Sequence, residues 1–336
     1  MAPDTLKWDF IGLDTRYRLA DGRVTRRHYL DSAASTLALR GARQVADELL
    51  RHYANTHSEL HFSARVVGRA YDWAHMQVLK FVRADPGRHV AFFAGSGCTA
   101  LLNRLARTLA ARRPERDVVL VSLMEHHAND LPHRRHAGQV VHLPLTGVAP
   151  ALGTIDLAAL EQCLEQYRGR VNYLAVSAAS NVTGIVNPVH DIAALAHAFG
   201  AWVVVDASQS LAHLLLPPSD TGSSDRELDA VVLSGHTLYA TGSPGAAVTR
   251  RTLLEDTEPD EVGGGMVDDV RQSDYQVTAR FPDREEAGTP NIVGAVHLGA
   301  ALNLLQRADM AQVHAAEQQQ LRRLLAGLSA LPGARV

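Results

Sequence analysis

The residues best placed to do chemistry lie between Leu228 and Arg250, in the run LDAVVLSGHTLYATGSPGAAVTR. An apolar stretch, Ala230 to Leu233, ends in Ser234-Gly235-His236, and Thr237 follows. A hydroxyl, a bare backbone and an imidazole at a strand end make a compact donor set, of the kind that holds a phosphate or a ring cofactor. A Gly/Pro-punctuated turn and a second apolar run, Ala246 to Thr249, come next. Other polar clusters also follow apolar runs. Gly97-Cys98-Thr99 comes after Arg88 to Phe93, Glu125-His126-His127-Ala128-Asn129 after Asp117 to Val121, and Ser180-Asn181-Val182-Thr183-Gly184 after Val171 to Val176. Asp206-Ala207-Ser208-Gln209-Ser210 closes Trp202 to Val205.

Strands must carry these clusters. The apolar runs are continuous, not alternating, the pattern of a parallel sheet covered on both faces by helices. In such sheets ligands sit at the carboxyl ends of strands, where these clusters fall. Apolar spacing predicts helices over Leu39–Tyr53, Ser63–Val82, Ala100–Ala111, Asp156–Tyr167, Val189–Phe199, Ile292–Arg307 and Met310–Leu328. The fold class is α/β. His28 to Asp31 reads as a short strand before a small-residue turn, Ser32-Ala33-Ala34-Ser35. That turn suits either close backbone approach to a ligand or a helix N-cap. Residues 1 to 27, polar and Arg-rich, read as an arm anchored by Trp8 and Tyr17. Leu253 to Asp283, acidic and marked by Gly263-Gly264-Gly265, reads as an active-site loop region.

Composition narrows the function class. The 336 residues are 46% hydrophobic and 21% charged, ordinary for a globular chain. A net charge of -3 gives no footing for nucleic acid or an anionic membrane. No apolar run reaches the roughly 18 residues that span a bilayer. Cys98 and Cys163 are too few for a disulfide framework and suggest a reducing, cytoplasmic setting. No metal site is expected.

Taken in order, Tyr29-Leu30-Asp31-Ser32-Ala33-Ala34, Gly97-Cys98-Thr99, Glu125 to Asn129, Ser180 to Gly184, Asp206 to Ser210, Ser234-Gly235-His236 and Gly288-Thr289-Pro290 resemble one family. It is the class V aminotransferases, pyridoxal 5'-phosphate (PLP) enzymes, with a pattern nearest to cysteine desulfurases and selenocysteine lyases. The resemblance covers roughly residues 28 to 336. It implies fold type I, with a mainly parallel seven-stranded sheet, a C-terminal small domain and a homodimer with sites at the interface. Divided accordingly, residues 1–27 form the arm and 28–291 the large PLP-binding domain. Residues 292–336 are helices leading into an incomplete small domain.

The same resemblance implies roles. Asp206 faces the pyridinium nitrogen, and the plainer alternative is a helix N-cap. His126 stacks on the ring, with His127 beside it as a packing residue. Asn181 and Gln209 donate to the phenolic oxygen, although Asn181 also suits a turn. Cys98, Thr99, Ser234 and His236 form the phosphate cup, and Thr289 reaches across the dimer interface. Ala33 and Ala34 line the substrate side, and His57 lies near the site mouth or on a helix end. The substrate implied is a small amino acid, held as an external aldimine.

Two departures stand out. The family places its Schiff-base lysine directly after Ser-Gly-His, where this chain has Thr237. Threonine carries no amine, so it can neither hold PLP covalently nor serve as general base. The only lysines are Lys7, in the arm, and Lys80, on a helix. Family members also continue into a domain supplying a carboxylate-binding arginine and, in desulfurases, a sulfur-accepting cysteine; neither is visible here. The expectation is an inactive or strongly impaired enzyme, and the alternative is a non-catalytic PLP-binding or partner-binding homologue. Deliberate replacement, natural decay and reuse of the scaffold all stay open as origins of Thr237.

Overall fold

Continuous apolar strands have no face to give to water, so each needs a layer on both sides. The computed structural model describes residues 9–149, 151–219 and 223–334. Lys7 and Trp8 lie outside them. Seven strands form one sheet: β1 (His89–Ala94), β2 (Val118–Ser122), β3 (Gln139–Leu143), β4 (Val171–Ser177), β5 (Trp202–Asp206), β6 (Ala230–Ser234) and β7 (Gly245–Arg250). Their order is β1-β7-β6-β5-β4-β2-β3. Neighbours from β3 through β6 pair in parallel, and β7 runs antiparallel to both β6 and β1. The carboxyl ends of β1 to β6 therefore share one edge.

Successive strand residues point to opposite layers. Val118 and Leu120 join one core with Leu174, Val203 and Val231, while Val119 and Val121 join a second with Tyr173, Val204 and Val232. The first layer is closed by α1 (Arg40–Leu50), α2 (Phe62–Phe81), α5 (Leu157–Gln166), α6 (Val189–Ala198) and α7 (Ile292–Arg307). The second is closed by α3 (Gly97–Arg112), flanked by the short α4 (Leu131–His136). In α8 (Met310–Ser329) only Met310 is buried, and Leu321, Leu324, Leu325 and Leu328 are exposed.

Some expectations need correction. His28 to Asp31 is irregular coil, because it pairs with no strand. The arm contains a hairpin, Arg16–Arg18 with Val24–Arg26, and Leu253 to Asp283 contains another, Val267–Val270 with Tyr275–Val277. The α3 helix starts three residues earlier than its apolar spacing suggests, at Gly97. Ser96 and Gly97 both take left-handed φ values, 55° and 63°, and turn the chain sharply from β1 into the helix.

That turn sits on β7 with nothing between the backbones. A Cβ at Gly245 would overlap the Gly97 carbonyl and come within 2.9 Å of its Cα. Gly245→Ala is therefore expected to cost about 1–3 kcal/mol. The loss should show as a lower urea midpoint, and an unchanged midpoint would mean that β7 and α3 can separate freely.

Candidate active site

A cavity of about 270 Å3 opens where β4, β5 and β6 end. It collects Ala33, Ala34, Cys98, His126, Asn181, Asp206, Gln209, Ser234, His236 and Thr237 from six separate segments. It also takes in Ser177, Ala179 and Ser208, which the sequence motifs did not single out.

The β6 end is fixed by its own backbone. The Thr237 hydroxyl donates to the Ser234 carbonyl at 2.8 Å inside a single 3-10 turn, Gly235–Thr237. The turn is held from outside by Thr36, whose amide and hydroxyl both donate to the His236 carbonyl, at 2.9 and 2.8 Å. Gly235 is required because a Cβ there would overlap the Ser243 hydroxyl. Thr237 is buried, and burial lowers the basicity of the neighbouring His236 imidazole.

Asp206 ends β5 buried, and burial raises its carboxyl above the ordinary range, partly offset by the Ser208 hydroxyl and by the Ser208 amide donating at 2.9 Å. Cys98 sits beside it in the first turn of α3, where burial and the Asp206 charge push its thiol up to about 11. The thiol is thus protonated at neutral pH. The α3 N-terminus has no side-chain cap, so its first N–H groups are available to a ligand. The buried Ser208 hydroxyl lies between the Asp206 carboxyl and the Cys98 thiol and lowers the pKa of both.

His126 is exposed toward the cavity, and its Nδ1 accepts the Ala128 amide at 3.1 Å, which leaves the proton of the neutral ring on Nε2. The loop carrying it hangs from Glu125. That carboxylate accepts from Ser177 N at 2.9 Å, Ser177 Oγ at 2.5 Å, Asn129 Nδ2 at 2.6 Å, and Ser122 Oγ. Asn129 Oδ1 in turn meets His133 Nε2 at 3.2 Å, and His133 Nδ1 meets Tyr173 OH at 2.8 Å. Glu125 is partly exposed as a residue, yet its enclosed carboxyl is pushed by burial up to about 7. Burial pushes His133 down to about 4.

Not every expected residue lines the cavity. Thr99 faces a neighbouring recess with Asn103 and the outer side of His126. His57 lines a separate cleft of about 620 Å3 with Arg65, Arg69 and Arg280, and its Nε2 lies 3.2 Å from the Gly288 carbonyl. Thr289 bonds Asn55 Nδ2 at 3.2 Å and is not among the lining residues of the cavity. Its loop is tied down by Glu286, which accepts from Phe93 N at 2.6 Å, His75 Nε2 at 2.8 Å and Tyr71 OH at 2.5 Å. Gln209 is partly committed: its amide donates to the Ala33 carbonyl at 2.7 Å and fastens the substrate-side turn.

The chain has relatives among known proteins. The family model for Aminotransferase class-V matches residues 28–336. The chain belongs to the class V aminotransferase family. It is 30% identical over 311 residues to a probable cysteine desulfurase of Halalkalibacterium halodurans, covering 91% of this chain and 73% of that one. Identity to a cysteine desulfurase of Klebsiella pneumoniae is 33% over 307 residues, covering 90% and 73%. Among solved structures, the apo cysteine desulfurase of Thermococcus onnurineus NA1 superposes with a TM-score of 0.83 at 25% identity, covering 97% of this chain and 76% of that one. The Escherichia coli cysteine desulfurase CsdA gives 0.76 at 30% identity, covering 91% and 74%. The fold is that of type I PLP enzymes, and the class V family is PLP-dependent.

The residues present fit that cofactor in every respect but one. A buried carboxyl group, an imidazole presented to the cavity, an uncapped helix start and the Ser208 and Ser234 hydroxyls suit a phosphorylated pyridine ring. The exception is residue 237, where the sequence resemblance expects a lysine and this chain has a threonine hydroxyl bonded to the Ser234 carbonyl.

The Glu125 network makes a prediction whose sign can be worked out. From about pH 4.5 to about 6.5 the folded chain keeps Glu125 protonated and His133 neutral, while the unfolded chain carries carboxylate and imidazolium. Each state holds one proton on the pair, so their opposed contributions cancel. Glu125→Gln leaves His133 alone. The unfolded state then binds more protons, and stability rises with pH by up to about 1.4 kcal/mol per unit. His133→Asn leaves Glu125, the folded state binds more protons, and stability falls with pH by a similar amount. Urea midpoints across that window read the two slopes, and slopes of equal sign would refute the assignment.

Proposed function

We propose that this chain is a PLP-binding, cysteine desulfurase-like protein for a small amino acid, with lysine-dependent turnover lost or strongly impaired. The observation that carries the reading is Thr237, buried at the lysine position with its hydroxyl turned onto the Ser234 carbonyl. Lys80 is exposed on α2, outside the cavity lining, so it offers no substitute amine.

When bound, PLP supplies an electron sink for a substrate carbanion. The chain's residues would hold it without a covalent link. Asp206 keeps the proton on the ring nitrogen, and His126 orients the ring with a fixed tautomer. Ser234, Ser208, Cys98 and the start of α3 face the phosphate. Asn181, with no side-chain hydrogen bond to another described residue, is the better donor to the phenolic oxygen than the tethered Gln209. The Ala33-Ala34 turn leaves room for a small substrate. Thr289, outside its own chain's cavity, suits a role across a homodimer interface. Two free cysteines suit a reducing, cytoplasmic setting. The first 27 residues act as the arm, and α7 and α8 lead from the PLP-binding domain toward a small domain.

Borohydride reduction after loading with PLP, followed by proteolysis and mass measurement, tests this reading. After peptide mapping, the wild-type chain is expected to carry no phosphopyridoxyl group on the peptide that contains residue 237, and Thr237→Lys is expected to carry one there. An adduct on that peptide of the wild type would overturn the reading. Sulfide release from cysteine by the wild type should fall below that of Thr237→Lys by roughly 10²–10⁴-fold, the range for a lost general base.

A further inference from the structure

The way Thr237 spends its hydroxyl decides what the cavity can receive beside it. A threonine has one O–H and two lone pairs. Here the hydrogen is used on the Ser234 carbonyl at 2.8 Å. No described residue donates to Thr237 Oγ1, so what it can offer a ligand is acceptor capacity. An aldehyde oxygen is itself only an acceptor and gains nothing from such a neighbour. An ammonium group has three donors and gains a charge-assisted bond.

The charge balance of the cavity leads the same way. Its lining contains the Asp206 carboxyl, the His126 and His236 imidazoles, and no lysine or arginine. A phosphorylated ring brings further negative charge into this enclosed space. Opposite charge is strongly favoured where water is thinned out. With the ring nitrogen protonated against Asp206 the phosphate is left uncompensated, and a 4'-ammonium adds a cation that a 4'-aldehyde lacks.

The geometry points to selectivity for the amine form of the cofactor: the site takes pyridoxamine 5'-phosphate in preference to PLP, with Thr237 Oγ1 as acceptor for the 4'-ammonium. This deepens the reading given under Proposed function and rests on the cavity being a cofactor site. Thr237 is then a specificity-determining residue, and the chain serves as a receptor for vitamin B6 phosphates that already carry nitrogen on the 4' carbon.

Calorimetric titration of the full chain with three ligands separates the possibilities. Pyridoxamine 5'-phosphate carries the amine and PLP the aldehyde, while 4-deoxypyridoxine 5'-phosphate keeps ring and phosphate with neither. The wild type should bind the amine form roughly tenfold to hundredfold more tightly than the other two, the range for one hydrogen bond to a charged group. Thr237→Val, of the same shape, should lose that preference by weakening pyridoxamine 5'-phosphate alone. Thr237→Ser, which keeps the hydroxyl, should retain it, and circular dichroism of both variants checks that they fold. Equal binding of all three ligands, or tighter binding of PLP, would overturn the selectivity and leave the cofactor site standing. Binding of none of the three would overturn the cofactor site and the selectivity together.

Discussion

Everything in the site depends on a place where backbone meets backbone. The start of α3, the end of β6 and the start of β7 converge at Gly97, Ser234 and Gly245, with no room for a side chain on either glycine. A Cβ on Gly97 would overlap the Ser234 hydroxyl, and one on Gly245 would overlap Gly97 itself. The close fit holds a helix start and a strand end at fixed distance. Uncapped amides from one element and a hydroxyl from the other therefore face the same space. Left-handed geometry at Ser96 and Gly97 makes the approach possible. The parallel order of β4, β5 and β6 then brings Asn181 and Asp206 to the same rim without further devices.

Around that contact, two carboxylates do similar work for two loops. Glu125 gathers four donors and suspends the turn that presents His126. Glu286 gathers three and pins the loop that carries Thr289 to β1 and α2. Neither needs to touch a ligand. Each replaces water with fixed donors, so a loop that would otherwise fluctuate keeps one conformation.

Much of this was legible in the sequence because the sheet is buried on both faces. Ala230 to Leu233 and Val171 to Val176 could be read as strands from apolar continuity alone, to within a residue at the strand end. The site residues could be read because their types change abruptly at strand ends. What could not be read depends on partners distant in sequence. Ser208 is one of five residues in Asp206 to Ser210, and only the fold turns it toward the cavity. Gln209 has the right type for a ligand donor, yet the Ala33 carbonyl, 176 residues away, claims its amide. Thr99 lies one residue past the turn that faces inward, and a helix rotates successive residues by about 100°. The hairpin Leu145–Val148 with Ala151–Ile155 is exposed along most of its length and left no apolar signature.

The internal bond of Thr237 has a consequence for the gene. Because the hydroxyl closes on the Ser234 carbonyl, the folded scaffold has little stake in whether this position carries an amine. Threonine and lysine codons can differ by a single base, so one substitution is enough to exchange the hydroxyl for an amine at this strand end.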